Sequence, residues 1–214
     1  MPLKDWLDGA LLPVIAKEEE WSLDELEKIL SDAISDCFTK CFVAHAGKIA
    51  TTLSGGVDSS FCLSKLRREG NLTGIYTFTV GGDRNHQDIV YAKMMAEQFS
   101  TNHHEIIPKQ KEILWAKRKL AKIRFASAKE ITDGSVAVFL AYRSISDCGF
   151  QISIAHDGID ELLGGYPEHR FSPRTTAEKK MYFRKMWNEL IPNHLLLLEK
   201  SARFFGIKVL FPYL

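Results

Sequence analysis

The feature that most constrains this chain is a short apolar run that stops at two glycines and is followed by a helical pattern. Residues 49–53 are apolar or β-branched and lead directly into Ser54-Gly55-Gly56. Such a run predicts a buried strand that ends in a tight loop, because a strand covered on both faces needs apolar residues throughout. Residues 58–69 are then predicted to form a helix. A strand, a glycine loop and a helix in this order are typical of α/β proteins.

Strand and helix patterns alternate along the rest of the chain. Further strands are predicted at 74–80, 104–107, 151–155 and 208–211. Further helices are predicted at 87–100, 109–124 and 134–147, with two more within 175–205 that are broken near Pro192. Strands that alternate with helices are joined by right-handed crossovers, which produce a parallel sheet covered by helices on both faces. We therefore predict an α/β fold with a parallel five-stranded sheet flanked by helices.

The segment 1–46 is predicted to be a helical extension ahead of an α/β domain at 47–214. Ser22 and Glu25 have the spacing of a capping box, in which each side chain bonds the backbone amide of the other residue at a helix start. Apolar residues then recur at helical spacing: Leu23, Leu26, Leu30, Ile34, Cys37, Phe38 and Cys41. An amphipathic helix must bury its apolar face, so we expect it to pack on the domain, with a partner protein as the alternative.

Composition excludes several classes of protein. The 28 basic and 27 acidic residues give a net charge of +1, so a nucleic-acid partner is not expected. No apolar run approaches the roughly 20 residues of a membrane span, and charged residues at positions 4 and 5 come too early for a secretory signal. The four cysteines include no C-x-x-C pair, and we expect them to be small buried side chains in a reducing compartment. The chain is therefore predicted to be cytoplasmic, with no membrane partner.

The segment 53–60 has the composition of an anion-binding loop. Its glycines let the backbone approach a ligand closely, and the helix that follows directs free amide hydrogens into the loop. Three serine hydroxyls add donors: Ser54, Ser59 and Ser60. Asp58 would repel a phosphate unless a cation intervenes, and Mg²⁺ that bridges a carboxylate and phosphates removes this conflict. The plain alternative is a glycine turn with a Ser/Asp helix cap.

A second unusual segment, 155–166, follows the strand predicted at 151–155. Three carboxylates lie within five residues: Asp157, Asp160 and Glu161. Like charges this close are unfavourable without a cation, so a second magnesium ligand that faces the first loop would explain them. Ligands bind outside the carboxyl ends of the strands in such a sheet, where both segments are predicted to lie. The alternative is an acidic helix N-terminus that the helix dipole stabilises.

The two segments resemble motifs of one enzyme family. The segment 53–60 resembles the pyrophosphate-binding loop of the PP-loop ATP pyrophosphatases, and residues 160–166, Asp-Glu-Leu-Leu-Gly-Gly-Tyr, resemble a motif in the synthetase domain of asparagine synthetases and β-lactam synthetases. Weaker similarities occur at 78–81, 88–105 and 211–214. The resemblance covers residues 48–214 and implies the HUP-like fold of PP-loop enzymes.

The resemblance implies a role for each residue that matches a family motif. Pyrophosphate would be bound by residues of the first loop: Ser54, Gly55, Gly56, Asp58 and Ser59. Adenosine would be contacted, largely through backbone, by residues at three strand ends: Leu53, Val80, Ala155 and His156. Asp58 and Asp160 would hold Mg²⁺. Asp157 stands where the family has a catalytic glutamate.

The activity implied is that of a ligase that uses ATP and Mg²⁺ to adenylate a small carboxylate, with aspartate as the default, and releases pyrophosphate before ammonia attacks. Asparagine synthetases carry a glutaminase domain whose nucleophilic cysteine directly follows the initiator, whereas residue 2 here is proline. We therefore expect nitrogen from free ammonia or from a separate glutaminase or other protein partner. Two alternatives stay open. One is a PP-loop enzyme that adenylates a tRNA base, favoured by the basic segment 109–124. The other is a regulatory nucleotide-binding protein without turnover, favoured because Ala155, His156 and Asp157 stand where the resembling family has Ser, Gly and Glu.

Overall fold

Strands and helices alternate along the part of the chain that the structure, a computed structural model, describes. The described residues are 22–43, 49–69, 74–124, 131–158 and 191–212, with single residues at 175, 178 and 181. In chain order the elements are α1 (Leu23–Val43), β1 (Ile49–Thr52), α2 (Val57–Glu69), β2 (Ile75–Val80), α3 (Gln87–Gln98), β3 (Asn102–Ile106), α4 (Gln110–Arg124), α5 (Asp133–Asp147), β4 (Ile152–Ile154), α6 (Ile191–Arg203) and β5 (Lys208–Leu210).

The five strands form one parallel sheet in the order β3-β2-β1-β4-β5. The chain moves outward from β1 to β3 and then returns to lie beside β1 as β4, where Thr51 is in register with Ile154. The strand order therefore reverses between β1 and β4. Loops that leave the carboxyl ends of two strands at such a reversal open a crevice in which ligands bind. The predicted parallel five-stranded sheet is confirmed.

Two apolar clusters cover the two faces of the sheet. Ile49 belongs to the cluster that α2 and α3 form on one face, whereas its neighbour Ala50 belongs to the cluster that α5 and α6 form on the other. Successive residues of a strand point to opposite faces, so β1 must be apolar at both positions. This burial explains why the apolar run at 49–53 gave a clear strand signal.

Helix α1 begins and packs as the sequence predicts. The Ser22 amide donates to Glu25 Oε2 at 2.9 Å, and the Glu25 amide donates to Ser22 Oγ at 3.3 Å. The bond from the Ser22 backbone is the main reason that the pKa of Glu25 lies below its ordinary value. Phe38 is fully buried in the cluster that contains Ile49, with Ile34 packed against it. The side chains of the other predicted apolar positions lie outside the described residues: Leu23, Leu26, Leu30, Cys37 and Cys41.

Three local features differ from expectation or refine it. The strand β3 starts at Asn102, two residues before the predicted start, because its pairing with β2 begins at Tyr76 and an edge strand needs little apolar sequence. Cys148 is exposed rather than buried because it follows the last residue of α5, whereas Cys62 is buried. Pro192 lies in the first turn of α6, where its missing N–H costs no helical bond. The first of the two helices predicted within 175–205 falls on residues that are largely undescribed.

Gly55 lies where α3 packs directly on the loop after β1. Its φ angle is +75°, in the region that favours glycine. A Cβ atom at this position would lie 2.5 Å from the carbonyl carbon and the Cβ of Tyr91 and 2.6 Å from the amide nitrogen of Ala92. The absence of a side chain therefore sets how closely α3 and the loop approach.

We expect Gly55→Ala to lower the free energy of unfolding by about 2–5 kcal/mol, because overpacking adds about 1–3 kcal/mol to the backbone strain of about 1–2 kcal/mol. Gly206→Ala is the matched control, since Gly206 has a φ of +74° but no atom lies within 4 Å of the position that its methyl group would take. The control should cost only the backbone strain of about 1–2 kcal/mol. Urea unfolding measures both values, and equal losses would contradict the packing argument.

Candidate active site

The loop between β1 and α2 is shaped by bonds among its own serines. The Ser54 amide donates to Ser59 Oγ at 3.3 Å, and the two hydroxyl oxygens lie 3.1 Å apart. Ser59 Oγ donates to the Gly56 carbonyl at 3.1 Å, and the Gly56 amide donates to Ser54 Oγ at 3.3 Å. Ser59 is buried. The serine side chains predicted to bind an anion therefore also hold the backbone of the loop in place.

The start of α2 adds donors to this loop. The Ser60 amide is the first to find a carbonyl four residues back, that of Gly56 at 3.0 Å. The amides of the first turn before it lack an acceptor within the helix, which gives this end its partial positive charge. Asp58, the second residue of α2, has a half-buried side chain. Ser60 Oγ is buried without a hydrogen-bond partner among the described residues.

Leu53 ties the end of β1 to the neighbouring strand β2. The Leu53 amide donates to the Phe78 carbonyl at 2.9 Å, and Thr79 Oγ1 donates to the Leu53 carbonyl. Leu53 is buried, and Val80 at the end of β2 is half-buried. The two residues assigned by resemblance to adenosine thus lie at the ends of adjacent strands.

The loop after β4 is bound to β1 by side chains. Thr51 Oγ1 donates to the Ile154 carbonyl at 2.9 Å, and Thr52 Oγ1 lies 3.1 Å from His156 Nε2. On the other side, the amide of the buried Ala155 donates to the Leu210 carbonyl at 2.9 Å. Residues more than 100 positions apart in the chain are therefore held together beside the crevice.

The electrostatics of this loop centre on Asp157. Burial lowers the pKa of His156, and the nearby Asp157 carboxylate partly opposes that shift. Burial also raises the pKa of Tyr142, a fully buried residue of α5, and Asp157 acts in the same direction. The carboxylate therefore lies within electrostatic range of both groups, beside an imidazole and a phenol that are neutral at pH 7.

The predicted site residues divide into those that the structure brings together and those it leaves undescribed. The first set lies at the carboxyl ends of β1, β2 and β4: Leu53, Ser54, Gly55, Gly56, Asp58, Ser59, Val80, Ala155, His156 and Asp157. Asp160, with the rest of 160–166, lies outside the described residues. Within the described ranges, no group of three His, Cys, Asp or Glu side chains could hold a metal ion by itself.

A cavity of about 490 Å³ opens beside Val80, and no sequence pattern predicted it. Its apolar side includes Ile113 and Leu140, and its polar side includes Lys117, whose ammonium lies 3.2 Å from the Asp133 carboxylate. The lining comes from β2, α3, α4 and α5 and the loops that precede them. The sequence offered no signal for this cavity, because its lining residues come together only in the tertiary fold.

The sequence matches the family described as asparagine synthase over residues 29–209, and the chain belongs to that family. It is 27% identical over 203 residues to an asparagine synthetase (glutamine-hydrolyzing) of Gallus gallus, a match that covers 91% of this chain and 35% of that protein. It is 24% identical over 147 residues to a provisionally named asparagine synthetase (glutamine-hydrolyzing) 2 of Methanocaldococcus jannaschii, which covers 69% of this chain and 27% of that one. The chain thus spans about a quarter to a third of the length of the curated relatives it matches.

Two solved structures are also similar to this chain. One is an NH3-dependent NAD synthetase from Campylobacter jejuni in complex with the nitrate ion, with a TM-score of 0.44 and 19% identity over 65% of this chain and 60% of that one. The other is an NMN synthetase from Francisella tularensis, with a TM-score of 0.43 and 16% identity over 89% and 98% of the two chains.

In the described part of this chain, no helix combines the length and the apolar character needed to cross a membrane.

The lowered pKa of His156 predicts a pH dependence of stability. Its folded-state pKa lies below the unfolded value of about 6.5, so the unfolded state binds more protons in this range. The stabilisation is complete above about pH 6.5 and is lost as the pH falls from there toward the folded-state pKa. We expect His156→Gln to reduce the loss of stability between pH 7.5 and 5.5, measured by urea unfolding.

His103 should also make stability depend on pH, because its pKa is lowered and burial is the largest cause. His103→Gln should change the pH dependence in the same direction, and the double variant should show the smallest dependence. If each single variant keeps the full pH dependence of the wild-type stability, burial does not lower the pKa of either imidazole.

Proposed function

We propose that this chain carries the ATP-dependent step of an amide-forming ligase, in which a carboxylate is adenylated, pyrophosphate leaves, and ammonia attacks the acyl-adenylate. One observation carries the proposal: the loop at 53–59 and the loop at 155–157 leave neighbouring parallel strands and are joined by the Thr52–His156 contact of 3.1 Å. Membership of the asparagine synthase family supports it. The carboxylate, the nitrogen source and the site roles below are part of the proposal.

Pyrophosphate would bind at the loop after β1. Gly55 and Gly56 expose backbone there, and the first turn of α2 supplies amides. Ser54 and Ser59 would contribute their hydroxyls by turning their protons from the bonds within the loop to the ligand. Donors that are already in place stabilise charge as it develops on a leaving group, because they need not reorganise during the reaction. The serine network described above provides that preorganisation.

The same loop fits a magnesium ion. Mg²⁺ at phosphate sites is commonly held by one or two carboxylates together with phosphate oxygens, and the half-buried Asp58 lies at the start of α2 among the phosphate-binding donors. We propose Asp58 as one ligand and Asp160 as the second. When bound, the ion would neutralise negative charge on the pyrophosphate.

Adenosine would lie across the ends of three strands. Leu53 at the end of β1, Val80 at the end of β2, and Ala155 and His156 after β4 surround this part of the crevice. Because the side chains of Leu53 and Ala155 are buried in the core, these residues would contact the nucleoside through their backbone. A nucleotide placed this way would have its triphosphate toward the donors at 54–59.

Asp157 would take the proton in the second step. Ammonia is mostly ammonium at pH 7 and must lose a proton before it attacks, which a nearby carboxylate can accept. Asp157 interacts electrostatically with His156 and Tyr142. Both groups are neutral at this pH, so neither adds a charge beside the carboxylate. We take aspartate as the default carboxylate, and free ammonia or a separate glutaminase partner as the nitrogen source.

We expect Asp58→Asn to lower carboxylate-dependent ATP–pyrophosphate exchange by at least about 100-fold, since one lost charge-stabilising group at such a site costs about 10²–10³ in rate. Asp24→Asn is the matched control, because Asp24 is also the second residue of a helix but lies in α1. The control should keep wild-type exchange. Full exchange activity in Asp58→Asn would remove the assignment to the metal–pyrophosphate site.

The same assay separates the alternatives. Exchange that requires tRNA instead of a carboxylate, with labelled tRNA retained at physiological salt, would support adenylation of a tRNA base; the exposed Arg118 and Lys122 of α4 favour that candidate. Binding of ATP without turnover over a wide panel of carboxylates would support a regulatory role.

We expect Asp157→Asn to separate the two chemical steps. Amide formation should fall by about 10²–10⁴-fold, because a general base contributes that much, whereas ATP–pyrophosphate exchange should change by less than about tenfold. Single-turnover assays with ammonium as the nitrogen source measure the first rate. Equal losses in both assays would place Asp157 in nucleotide binding instead of proton transfer.

A further inference from the structure

Thr52 and His156 are placed at the points where two strands turn into the two loops of the site. Thr52 is the last residue of β1 and precedes the loop at 53–59 by one residue. His156 lies two residues after the end of β4 and directly before Asp157. Their side-chain contact of 3.1 Å therefore joins the base of one loop to the base of the other.

Among residues 49–69 and 131–158, no backbone hydrogen bond makes this connection. The pairing of β1 with β4 ends at Thr51 and Ile154, and the next amide of the β4 side, that of Ala155, bonds the Leu210 carbonyl on the opposite side. The Ala155 amide therefore binds the β5 side and not β1. The Thr52–His156 contact is a side-chain hydrogen bond that spans from β1 to the residues after Ala155.

The chemistry of Thr52 and His156 favours a hydrogen bond that persists at neutral pH. Burial favours the neutral imidazole of His156 by lowering its pKa. A neutral imidazole nitrogen either donates or accepts a hydrogen bond, and a threonine hydroxyl can do both, so the bond forms with either tautomer. A neutral ring also leaves the neighbouring Asp157 carboxylate without an imidazolium partner that would reduce its basicity.

We propose that His156 is a positioning residue, whose hydrogen bond to Thr52 sets the distance between Asp157 and the loop at 53–59. The inference rests on the proposed function of those two loops. A group that takes a proton must lie within hydrogen-bond reach of it, and a displacement of about 1 Å can cost about 10²-fold in rate. The Thr52–His156 hydrogen bond fixes the residue directly before Asp157, so it would keep the Asp157 carboxylate within that reach.

The kinetic test uses Thr52→Val, which removes the hydroxyl and keeps the shape. We expect it to lower kcat for amide formation by about 10- to 100-fold, because Asp157 would be displaced. KM for ATP should change less than about threefold, because Asp157 acts after ATP has bound and His156 would contact adenosine largely through its backbone. Thr52→Ser keeps the hydroxyl and should restore kcat to within about threefold of wild type.

Thr77→Val is the matched control. Thr77 is a buried threonine of β2 whose hydroxyl lies 2.9 Å from both Thr101 Oγ1 and His103 Nδ1, so its loss removes side-chain contacts away from the two loops. It should lower stability without lowering kcat. Equal losses of kcat in Thr52→Val and Thr77→Val, or no recovery in Thr52→Ser, would overturn the positioning role.

A second readout does not depend on turnover. In ¹⁵N-histidine NMR spectra, the Nε2 signal of His156, assigned by its loss in His156→Gln, should move in Thr52→Val and stay in place in Thr77→Val. Addition of inorganic pyrophosphate with Mg²⁺ should shift this signal in the wild type, and by at most half as much in Thr52→Val. A wild type without exchange on any carboxylate would contradict the proposed function, whereas an unresponsive His156 signal would contradict the link between the loops.

Discussion

The parallel pairing of β1 with β4 is the contact on which the candidate site depends. It places Thr51 beside Ile154, more than 100 residues later in the sequence, and it brings the carboxyl ends of two strands to the point where the strand order reverses. The pairing is stable because both strands are buried between helices, with Ile49 and Ala50 packed on opposite faces. The loop proposed to bind phosphate and the loop that carries Asp157 therefore lie at the ends of adjacent strands as a consequence of core packing.

The same packing limits the shape of the loop after β1. Helix α3 approaches so closely that Gly55 has no room for a methyl group, while Ser54 and Ser59 bond each other across the turn. The features that would serve an anion, exposed amides and inward hydroxyls, are thus set by contacts that also stabilise the domain. Binding geometry and stability are coupled at this loop, so changes there affect both.

The sequence predicted those parts of the fold in which local pattern and burial agree. The run at 49–53 is apolar because both of its faces are covered, and its strand was confirmed. The start of β3 was predicted two residues late because Asn102 and His103 in an edge strand carry no apolar signal. The cavity beside Val80 and the Thr52–His156 contact could not be predicted, since each joins residues from elements whose proximity only the tertiary fold creates. The motif at 160–166 gave the most specific resemblance and lies outside the described residues.

The proposed roles of the two loops require a fixed separation between them. The start of α2 favours an anion, whereas Asp157 must keep its proton affinity if it is to serve as the proposed base. A carboxylate that moved toward the amides at 54–59 would bind them, lose basicity and compete with pyrophosphate. A carboxylate that moved away would miss the incoming amine. The loop that carries Asp157 is attached to β1 through a threonine hydroxyl and a buried, neutral imidazole. In the proposed mechanism, this attachment would hold the distance without adding a charge that disturbs either loop.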